Sequence, residues 1–391
     1  MSFFDDENVN LNVLKRKAYN LRWAEVEEGV IPLTAADPDF PCPPMVKQAM
    51  LDYISDGYFS YTPKTGFDDF KIALSNYVKD LKNENIPSKN VLPVDSAARA
   101  MYIVAKAFLK PGDEMIVFDP CDFLFRESCL AAGATPVYYS CGIDEKKRKM
   151  DLSKLESCIT EKTKMIGLCN PHNPYGLTYT KEELDYIMSL CEKYDLYIMN
   201  DEIWSDIILN GNKHIPLQSV NEDAKNRTIA LYAPSKTFNL AGLIGSYHII
   251  YNSYLRDRVR SSSSKSHYNS MNVLSMYALI GAYKEEGMEW VNELCEVLSD
   301  NINYAYDFIN THFEGVNLSK PEGTYMLFPD CKEWCEKNGK TVDELLKAGH
   351  RVGVGWQNGK PFHGEYSIRM NLALPFSKVQ EAFERLDKYV F

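Results

Sequence analysis

The sequence predicts an α/β protein with a three-layer α/β/α arrangement around a mainly parallel sheet, together with a smaller α+β unit. From about residue 45 to about residue 250, helical patterns alternate with short apolar runs. Those runs lack the polar and apolar alternation of a strand with one face in water, so we expect both faces of the sheet to be covered. Beyond residue 264, long helices come first and mixed strands follow. We therefore expect a large domain at 45–285 and a small domain formed by 1–44 and 286–391.

The elements of the large domain follow from the spacing of apolar residues. Helices are predicted where such residues recur every three or four positions, at 67–81, 97–109 and 181–194. Strands are predicted at the apolar runs 115–118, 165–169, 196–200, 228–233 and 246–251. Thr180, with Glu183 three residues later, predicts a capping box at the start of the third helix.

The pattern changes after the sheet region. The serine run Ser261–Ser264 predicts a loop, either a flexible or functional one or a simple connector. Long helices are then expected through 272–313, mixed structure that includes GTYMLF and YSIRMNLA, and a last helix at 377–389. This second half is typical of an α+β unit.

Composition excludes several classes of protein. The 391 residues carry a formal charge of −11, which opposes binding to nucleic acid through phosphate neutralisation. The basic run at 146–149 is too short to outweigh this negative charge, and we expect a solvated turn there. No apolar run approaches the roughly 18 to 20 residues that a membrane span needs. The acidic start MSFFDDENVN has neither a basic segment nor an apolar core, so we expect a cytoplasmic protein.

Ten cysteines are scattered without a CxxC pair. The closest two, Cys331 and Cys335, have no nearby histidines that could complete a zinc site. We therefore expect free thiols and no metal.

Polar residues follow three of the predicted strands, and this is where ligands bind in open parallel sheets. Asn173 lies in NPHNPYG after 165–169, Asp201 follows 196–200, and Lys236 lies in APSK after 228–233. Singly, each has an ordinary explanation as a turn, a helix cap or a solvated surface charge. Each separation is enough for about one βα unit plus a strand, so the three side chains could meet along one sheet edge.

Pyridoxal phosphate chemistry needs this combination of side chains. An amine forms a Schiff base with the cofactor aldehyde, and a carboxylate keeps the pyridine nitrogen protonated. A neutral amide can donate to the phenolic oxygen of the ring. Lys236, Asp201 and Asn173 could supply these functions.

The segments NPHNPYG, NDEIW and APSKTFNLAGL resemble the signatures of fold-type I pyridoxal phosphate (PLP) enzymes, the class I/II aminotransferase superfamily. The closer resemblance is to its cystathionine β-lyase (MalY/PatB) branch, through IPLTAADPDFPCPP, PEGTYMLF, IRMNLALP and other segments in order over nearly the whole chain. The resemblance implies that Lys236 holds the cofactor and moves the Cα proton. It also implies that Asp201 binds the pyridine nitrogen and that Asn173 binds the ring oxygen.

The resemblance implies further site residues. The cofactor phosphate would bind the helix start in DSAARA, through Ser96 and the backbone NH groups of Ala97 and Ala98. Ser96 could instead act only as a helix cap. Ser235 would add a hydroxyl to the phosphate site.

The substrate contacts are also implied by the resemblance. Arg369 would clamp the α-carboxylate, for which its planar donor geometry is suited, and Ala36 would line the same site. As an alternative, Arg369 could make an ordinary surface pair. Tyr61 would reach across a homodimer to the cofactor phosphate of the neighbouring subunit and would also contact the substrate.

Four positions depart from the family pattern. Ile244 stands where many aminotransferases have a phosphate-binding arginine, and the lyase branch commonly lacks that arginine too. Asp122 takes the place of an aromatic residue that stacks on the cofactor, although Phe123 or Phe125 could substitute after a small shift. Asp122 could instead select a substrate with a second amino group or take part in proton transfer.

The other two departures lie beside the predicted site. Trp204 replaces a tyrosine or histidine, and its indole cannot accept a proton. Tyr175 replaces a smaller residue.

These features favour a PLP-dependent carbon–sulfur β-lyase that converts cysteine-type substrates to pyruvate, ammonia and a thiol. The alternatives are an aminotransferase, which shares the first proton transfer, and an amino-acid racemase. A binding or regulatory protein that keeps the cofactor without turnover is a fourth possibility. The expected partner is a small amino-acid substrate, with no nucleic acid and no membrane.

Overall fold

The computed structural model describes residues 3–82, 84–141, 143–144, 149–266 and 270–391. The turn expected at the basic run falls mainly on residues 146–148, which lie outside the described residues. Among the described residues, no helix is both long enough and apolar enough to cross a membrane. All ten cysteines are free, and most are buried.

The helices begin and end as follows. They are α1 Leu11–Lys17, α2 Pro44–Ser55, α3 Asp68–Lys82, α4 Ala97–Phe108, α5 Phe123–Ala131, α6 Lys181–Tyr194, α7 Glu222–Arg227, α8 Ser253–Ser264, α9 Val273–Ala282, α10 Glu285–His312, α11 Lys332–Asn338, α12 Val342–Arg351 and α13 Phe376–Tyr389.

The strands form one large sheet and several small ones. They are β1 Ile31–Pro32, β2 Val91–Val94, β3 Glu114–Asp119, β4 Thr135–Ser140, β5 Ile143–Asp144, β6 Lys149–Met150, β7 Thr163–Cys169, β8 Tyr197–Asp201, β9 Thr228–Tyr232, β10 Ser246–Ile249, β11 Met326–Leu327, β12 Val354–Gly355, β13 Gln357–Asn358 and β14 Ile368–Asn371.

The large sheet has seven strands in the order β2-β10-β9-β8-β7-β3-β4. Strand β10 runs antiparallel to both of its neighbours, and the remaining pairs are parallel. The five predicted strands are confirmed as β3, β7, β8, β9 and β10, with ends shifted by a few residues. The three predicted helices are α3, α4 and α6. The predicted α/β fold with a mainly parallel sheet is therefore confirmed.

Successive residues of the central strands enter two separate apolar clusters. On β3, Met115 and Val117 belong to one cluster, whereas Ile116 and Phe118 belong to the other. Because neighbouring side chains of a strand point to opposite faces, each face of the sheet has its own core. Helix α4 contributes to the first core and helix α6 to the second. Coverage of both faces explains why these strands read as continuous apolar runs.

The loop predicted at the serine run is wrong, because Ser261–Ser264 forms the last turn of α8. The helix starts at the N-cap Asn252 and buries Leu255 and Val259. Two of its serine hydroxyls find acceptors: Ser262 Oγ donates to the carbonyl of Ile103 at 3.1 Å, and Ser264 Oγ donates to the carbonyl of Ser261 at 2.8 Å. The buried face therefore extends the helix through residues of modest helix propensity.

The second half of the chain contains smaller sheets. Strands β11, β14 and β13 form an antiparallel sheet in that order, as expected for GTYMLF and YSIRMNLA. Strand β1 pairs with β12 in parallel, so a segment near the N-terminus is held by residues near the C-terminus. The division into domains at 45–285 and at 1–44 with 286–391 stays a prediction.

Helix α6 connects β7 to β8, and its capping box is present as predicted. The Thr180 side chain accepts from the Glu183 amide at 3.2 Å, and the Thr180 amide donates to the Glu183 carboxylate at 2.8 Å. We expect Thr180→Ala to lower the free energy of unfolding by about 1 kcal/mol, because one helix amide loses its acceptor. Thr180→Ser keeps the hydroxyl and should retain most of the stability. Urea denaturation measures both, and equal losses would contradict a capping role.

Candidate active site

The carboxyl ends of β7, β8 and β9 lie side by side. Cys169 at the end of β7 pairs with Asp201 at the end of β8, and Asp201 pairs with Leu231 of β9. The segments that follow therefore leave the sheet at one edge, as the sequence predicts. These segments hold Asn173 and Lys236.

A cavity of about 650 Å³ opens at this edge. Predicted site residues in its wall are Ala36, Asp122, Phe123, Asn173, Trp204, Lys236 and Arg369. The wall is completed by Asn20, Leu21, Glu25, Val26, Thr34, Ala35, Ile203, His350, Gly355, Trp356, Gln357, Asn358, Pro361 and Phe362.

Lys236 lies in the turn after β9 with a partly buried side chain. Its Nζ donates to the backbone carbonyl of Ala36 at 3.1 Å. Burial lowers the pKa of Lys236, and Arg369 lowers it further, whereas Asp37 and other carboxylates act in the opposite direction. A lysine with a lowered pKa holds more of its amine unprotonated, which is the form that attacks an aldehyde or accepts a proton.

Asp201 is buried at the end of β8 and does not line the cavity wall itself. Its Oδ1 accepts from the Ile203 amide at 3.1 Å. Burial is the main cause that raises the pKa of Asp201 to about 7, and Asp122 and Glu202 raise it further. Asp201 has no ion pair with any described residue, so a cationic group beside it would stabilise its ionised form.

Asn173 is buried and joined to Asp122. Its Nδ2 donates to Asp122 Oδ2 at 3.0 Å, while its Oδ1 is buried without a hydrogen-bond partner. Asp122 is also the N-cap of α5, because its Oδ1 accepts from the Leu124 amide at 3.0 Å. One hydrogen of the Asn173 amide remains available, since an NH₂ group has two.

Aromatic side chains form part of the cavity wall. Trp204 is buried, and its ring meets that of Tyr325 edge to face with 4.8 Å between centroids. Lys236 Nζ lies 5.8 Å from the Trp204 centroid. Phe123 is partly exposed and lies edge to face with Phe362 at 6.0 Å.

Arg369 is buried on β14 rather than paired at the surface. Its Nη1 donates to Gln357 Oε1 at 3.2 Å, and its Nε is buried without a hydrogen-bond partner. The guanidinium lies over the Phe362 ring, 4.7 Å from the centroid. Burial lowers its pKa to about 10. Arg369 has no carboxylate partner among the described residues, so it can bind an anion from outside.

Several predicted residues lie away from the cavity wall. Ser96 is the N-cap of α4 and accepts from the Arg99 amide at 3.2 Å, and Ala97 and Ala98 are the first residues of that helix. Ser235 is partly buried beside Lys236. Tyr61 is fully exposed. Their phosphate and intersubunit roles stay predictions.

Sequence reasoning missed two residues that hold the site together. The Tyr325 hydroxyl donates to the carbonyl of Ala36 at 2.8 Å. Gln357 Oε1 accepts from the Ala35 amide at 2.8 Å as well as from Arg369. Tyr325 lies within the recognised PEGTYMLF segment and could have been found there. No pattern in the sequence singled out Gln357.

The polar groups of the site fit the predicted cofactor. Arg369 Nε is a buried donor that lacks a partner, Asn173 keeps one amide hydrogen for a ring oxygen, and the buried Asp201 carboxyl needs a cation to ionise. Lys236 supplies an amine with a lowered pKa at the same cavity. No group of three or more metal-ligating side chains occurs in the part of the chain that the structure describes.

Comparison with known proteins gives one family and several relatives. The sequence model of the family "Aminotransferase class I and II" matches residues 28–386. An aspartate aminotransferase of Bacillus subtilis (strain 168) is 29% identical over 365 residues, which cover 92% of this chain and 91% of the relative. The cystathionine β-lyase PatB of the same organism is 26% identical over 360 residues, which cover 91% of each chain.

A solved structure extends the similarity to three dimensions. The crystal structure of cystalysin from Treponema denticola, which contains a pyridoxal 5′-phosphate cofactor, superimposes with a TM-score of 0.88. It is 28% identical in sequence, and the match covers 96% of each chain. The fold-type I architecture is thereby confirmed.

The pKa of Asp201 determines how the stability of the cofactor-free protein should depend on pH. Because burial raises this pKa from 3.8 to about 7, folding favours the protonated carboxyl. Its contribution is complete below about pH 4 and is lost as the pH rises through about 7, by roughly 4 kcal/mol at most. We expect the wild type to lose stability relative to Asp201→Asn between about pH 4 and about pH 7.

Urea denaturation of both proteins across this range measures the difference in the free energy of unfolding. Asp185→Asn, at an exposed position of α6, is the matched control and should give a nearly constant difference. A constant difference for Asp201→Asn as well would show that its carboxyl titrates normally.

Proposed function

Because this chain belongs to the class I and II aminotransferase family, we propose that it is a carbon–sulfur β-lyase acting on cysteine-type amino acids. It is a PLP-dependent enzyme, as the family and the PLP-containing structural relative establish. The proposed reaction breaks the bond between Cβ and sulfur, releases a thiol and yields pyruvate and ammonia.

The observation that supports this choice is the set of cations in the cavity wall. Among the described wall residues, Lys236 and Arg369 are the only lysine and arginine. Lys236 is assigned to the cofactor, which leaves Arg369 for the α-carboxylate. Aspartate would bring a second carboxylate without a second guanidinium or ammonium to receive it. A thioether side chain makes no such demand and suits the apolar walls at Trp204 and Phe362.

Each of the central residues has a role in the proposed reaction. PLP, when bound, withdraws electrons from the substrate Cα and so stabilises the charge left by proton removal. Asp201 would hold the protonated pyridine nitrogen. Arg369 would hold the α-carboxylate and thereby orient the Cα–H bond. Lys236 would attach the cofactor, and its Nζ would accept the Cα proton.

An aminotransferase is the second candidate. It is favoured by the aspartate aminotransferase of Bacillus subtilis, whose identity of 29% slightly exceeds that of PatB. The first proton transfer, to Lys236, is common to both reactions. They differ in the outcome: an aminotransferase passes the amino group on to a keto acid, whereas a lyase loses the sulfur group from Cβ.

We also propose a homodimer. Tyr61 is fully exposed, and exposed apolar neighbours at Leu51, Ile54, Tyr58 and Phe59 lie on α2 and the loop that follows it. A surface of this kind is suited to burial against a second copy of the chain. It would place Tyr61 at the neighbouring site.

A product assay tests the proposed reaction. Holoenzyme mixed with S-methyl-L-cysteine, a thioether with a single carboxylate, should release pyruvate without an added keto acid. Lys236→Ala should reduce the rate by at least about a thousandfold, because both the cofactor attachment and the general base are lost. Borohydride reduction of the wild type followed by peptide mapping should place the pyridoxyl label on Lys236. Amino-group transfer to an added keto acid without pyruvate release would instead identify an aminotransferase.

Replacing the arginine tests the carboxylate clamp. Arg369→Lys keeps the charge but loses the bidentate geometry, so we expect kcat/KM to fall about ten- to a hundredfold. Arg351→Lys, at an exposed position of α12, is the matched control and should leave kcat/KM unchanged. An unchanged kcat/KM for Arg369→Lys would remove this residue from the substrate site.

A further inference from the structure

We propose that Asp122 makes the site select amino acids whose side chains carry a second, positively charged group. The inference rests on the proposed amino-acid enzyme but not on the choice between elimination and transamination.

Asp122 presents a carboxylate to the cavity with acceptor capacity to spare. One oxygen accepts from the Leu124 amide and the other from Asn173 Nδ2, each at 3.0 Å. An ionised carboxylate has about four acceptor positions, so further positions remain. Asp122 forms no ion pair with a described residue, and its side chain lies in the wall of the same cavity as Lys236.

Arg369 provides an independent indication that a ligand binds in this cavity. It is 5% exposed, and its Nε has no hydrogen-bond partner although it is buried. An α-carboxylate bound there would hold the amino acid inside a cavity that also contains Asp122. The Arg369 guanidinium can bind the α-carboxylate of an amino acid, and the Asp122 carboxylate can bind a second ammonium group on its side chain.

The rest of the wall favours the same charge. Glu25 is the other carboxylate among the described wall residues, and no lysine or arginine remains once Lys236 and Arg369 are assigned. A side-chain carboxylate would therefore be repelled, whereas an ammonium group would be attracted. The apolar surfaces of Ile203 and Trp356 can contact the methylene groups of the substrate.

Asp122 also caps α5, and this structural role can be separated from selection. Asparagine is as good an N-cap as aspartate, so Asp122→Asn removes the charge while α5 keeps its cap. Glu25→Gln is the matched control at the second carboxylate. Glu25 is exposed, and its Oε2 accepts from the Leu21 amide at 2.6 Å.

The test uses the holoenzyme and three L-amino acids of similar length that contain no sulfur. L-ornithine carries a cationic side chain, L-norvaline a neutral one and L-glutamate an anionic one. Their dissociation constants are measured from the change in cofactor absorbance directly after mixing. We expect ornithine to bind about tenfold more tightly than norvaline, and glutamate to bind more weakly than norvaline.

The variants assign the preference to one side chain. In Asp122→Asn the ratio of norvaline to ornithine dissociation constants should fall to about one, while Glu25→Gln should retain most of the preference. Because the ratio compares two ligands on one protein, a general loss of affinity cancels. Glutamate binding as tightly as ornithine, or an unchanged ratio in Asp122→Asn, would overturn the proposal.

The outcome is distinct from that of the pyruvate assay. A charge preference in binding without pyruvate release from S-methyl-L-cysteine would contradict only the lyase. Pyruvate release without a charge preference would contradict only the role of Asp122. Absence of any absorbance change with all three amino acids would overturn the role of Asp122, whereas the lyase is decided by the pyruvate assay alone.

Discussion

Parallel pairing of β7, β8 and β9 is the constraint on which the site depends. In this register Cys169, Asp201 and Leu231 lie side by side, so three consecutive connections start at the same edge of the sheet. Backbone hydrogen bonds within a sheet that is buried on both faces fix this alignment. The side chains that follow need no long loops to meet. Asp201 comes from the strand itself, and Asn173 and Lys236 come from the turns.

Burial makes the charged groups of this site depend on one another. It lowers the pKa values of Lys236 and Arg369 and raises that of Asp201. In each case the charged form is the one that burial disfavours, and an opposite charge restores it. In the proposed site, a cationic ring beside Asp201 and an anionic substrate beside Arg369 would each supply the missing opposite charge. Binding energy can therefore arise from charges that the folded chain leaves uncompensated.

The strands of the sheet, and the polar segments that follow them in the chain, could be predicted from the sequence because both follow from local patterns. Apolar runs mark strands that are covered on both faces, and the capping box at Thr180 follows from two side chains three residues apart. The serine run was mispredicted because the buried face of α8, at Leu255 and Val259, outweighs the weak helix propensity of serine.

The contacts around the site could be identified only from the folded structure. Asp122 meets Asn173 across 51 residues of chain, and no periodicity encodes such a pair. The same holds for Gln357, which lies in a two-residue strand and acts through a side chain that reaches Arg369 on the neighbouring strand. Recognition of family segments located Arg369 itself, but its buried position over Phe362 appears only in three dimensions.

Gln357 links the segment that carries Arg369 with the segment that contacts Lys236. One oxygen atom receives both the guanidinium of Arg369 and the amide of Ala35, and the adjacent Ala36 carbonyl receives the amine of Lys236. One side chain therefore restrains both the arginine and the backbone segment whose carbonyl receives the lysine. Its removal would free the Ala35 amide and the Arg369 guanidinium together, so a single substitution would disturb two segments that are distant in sequence.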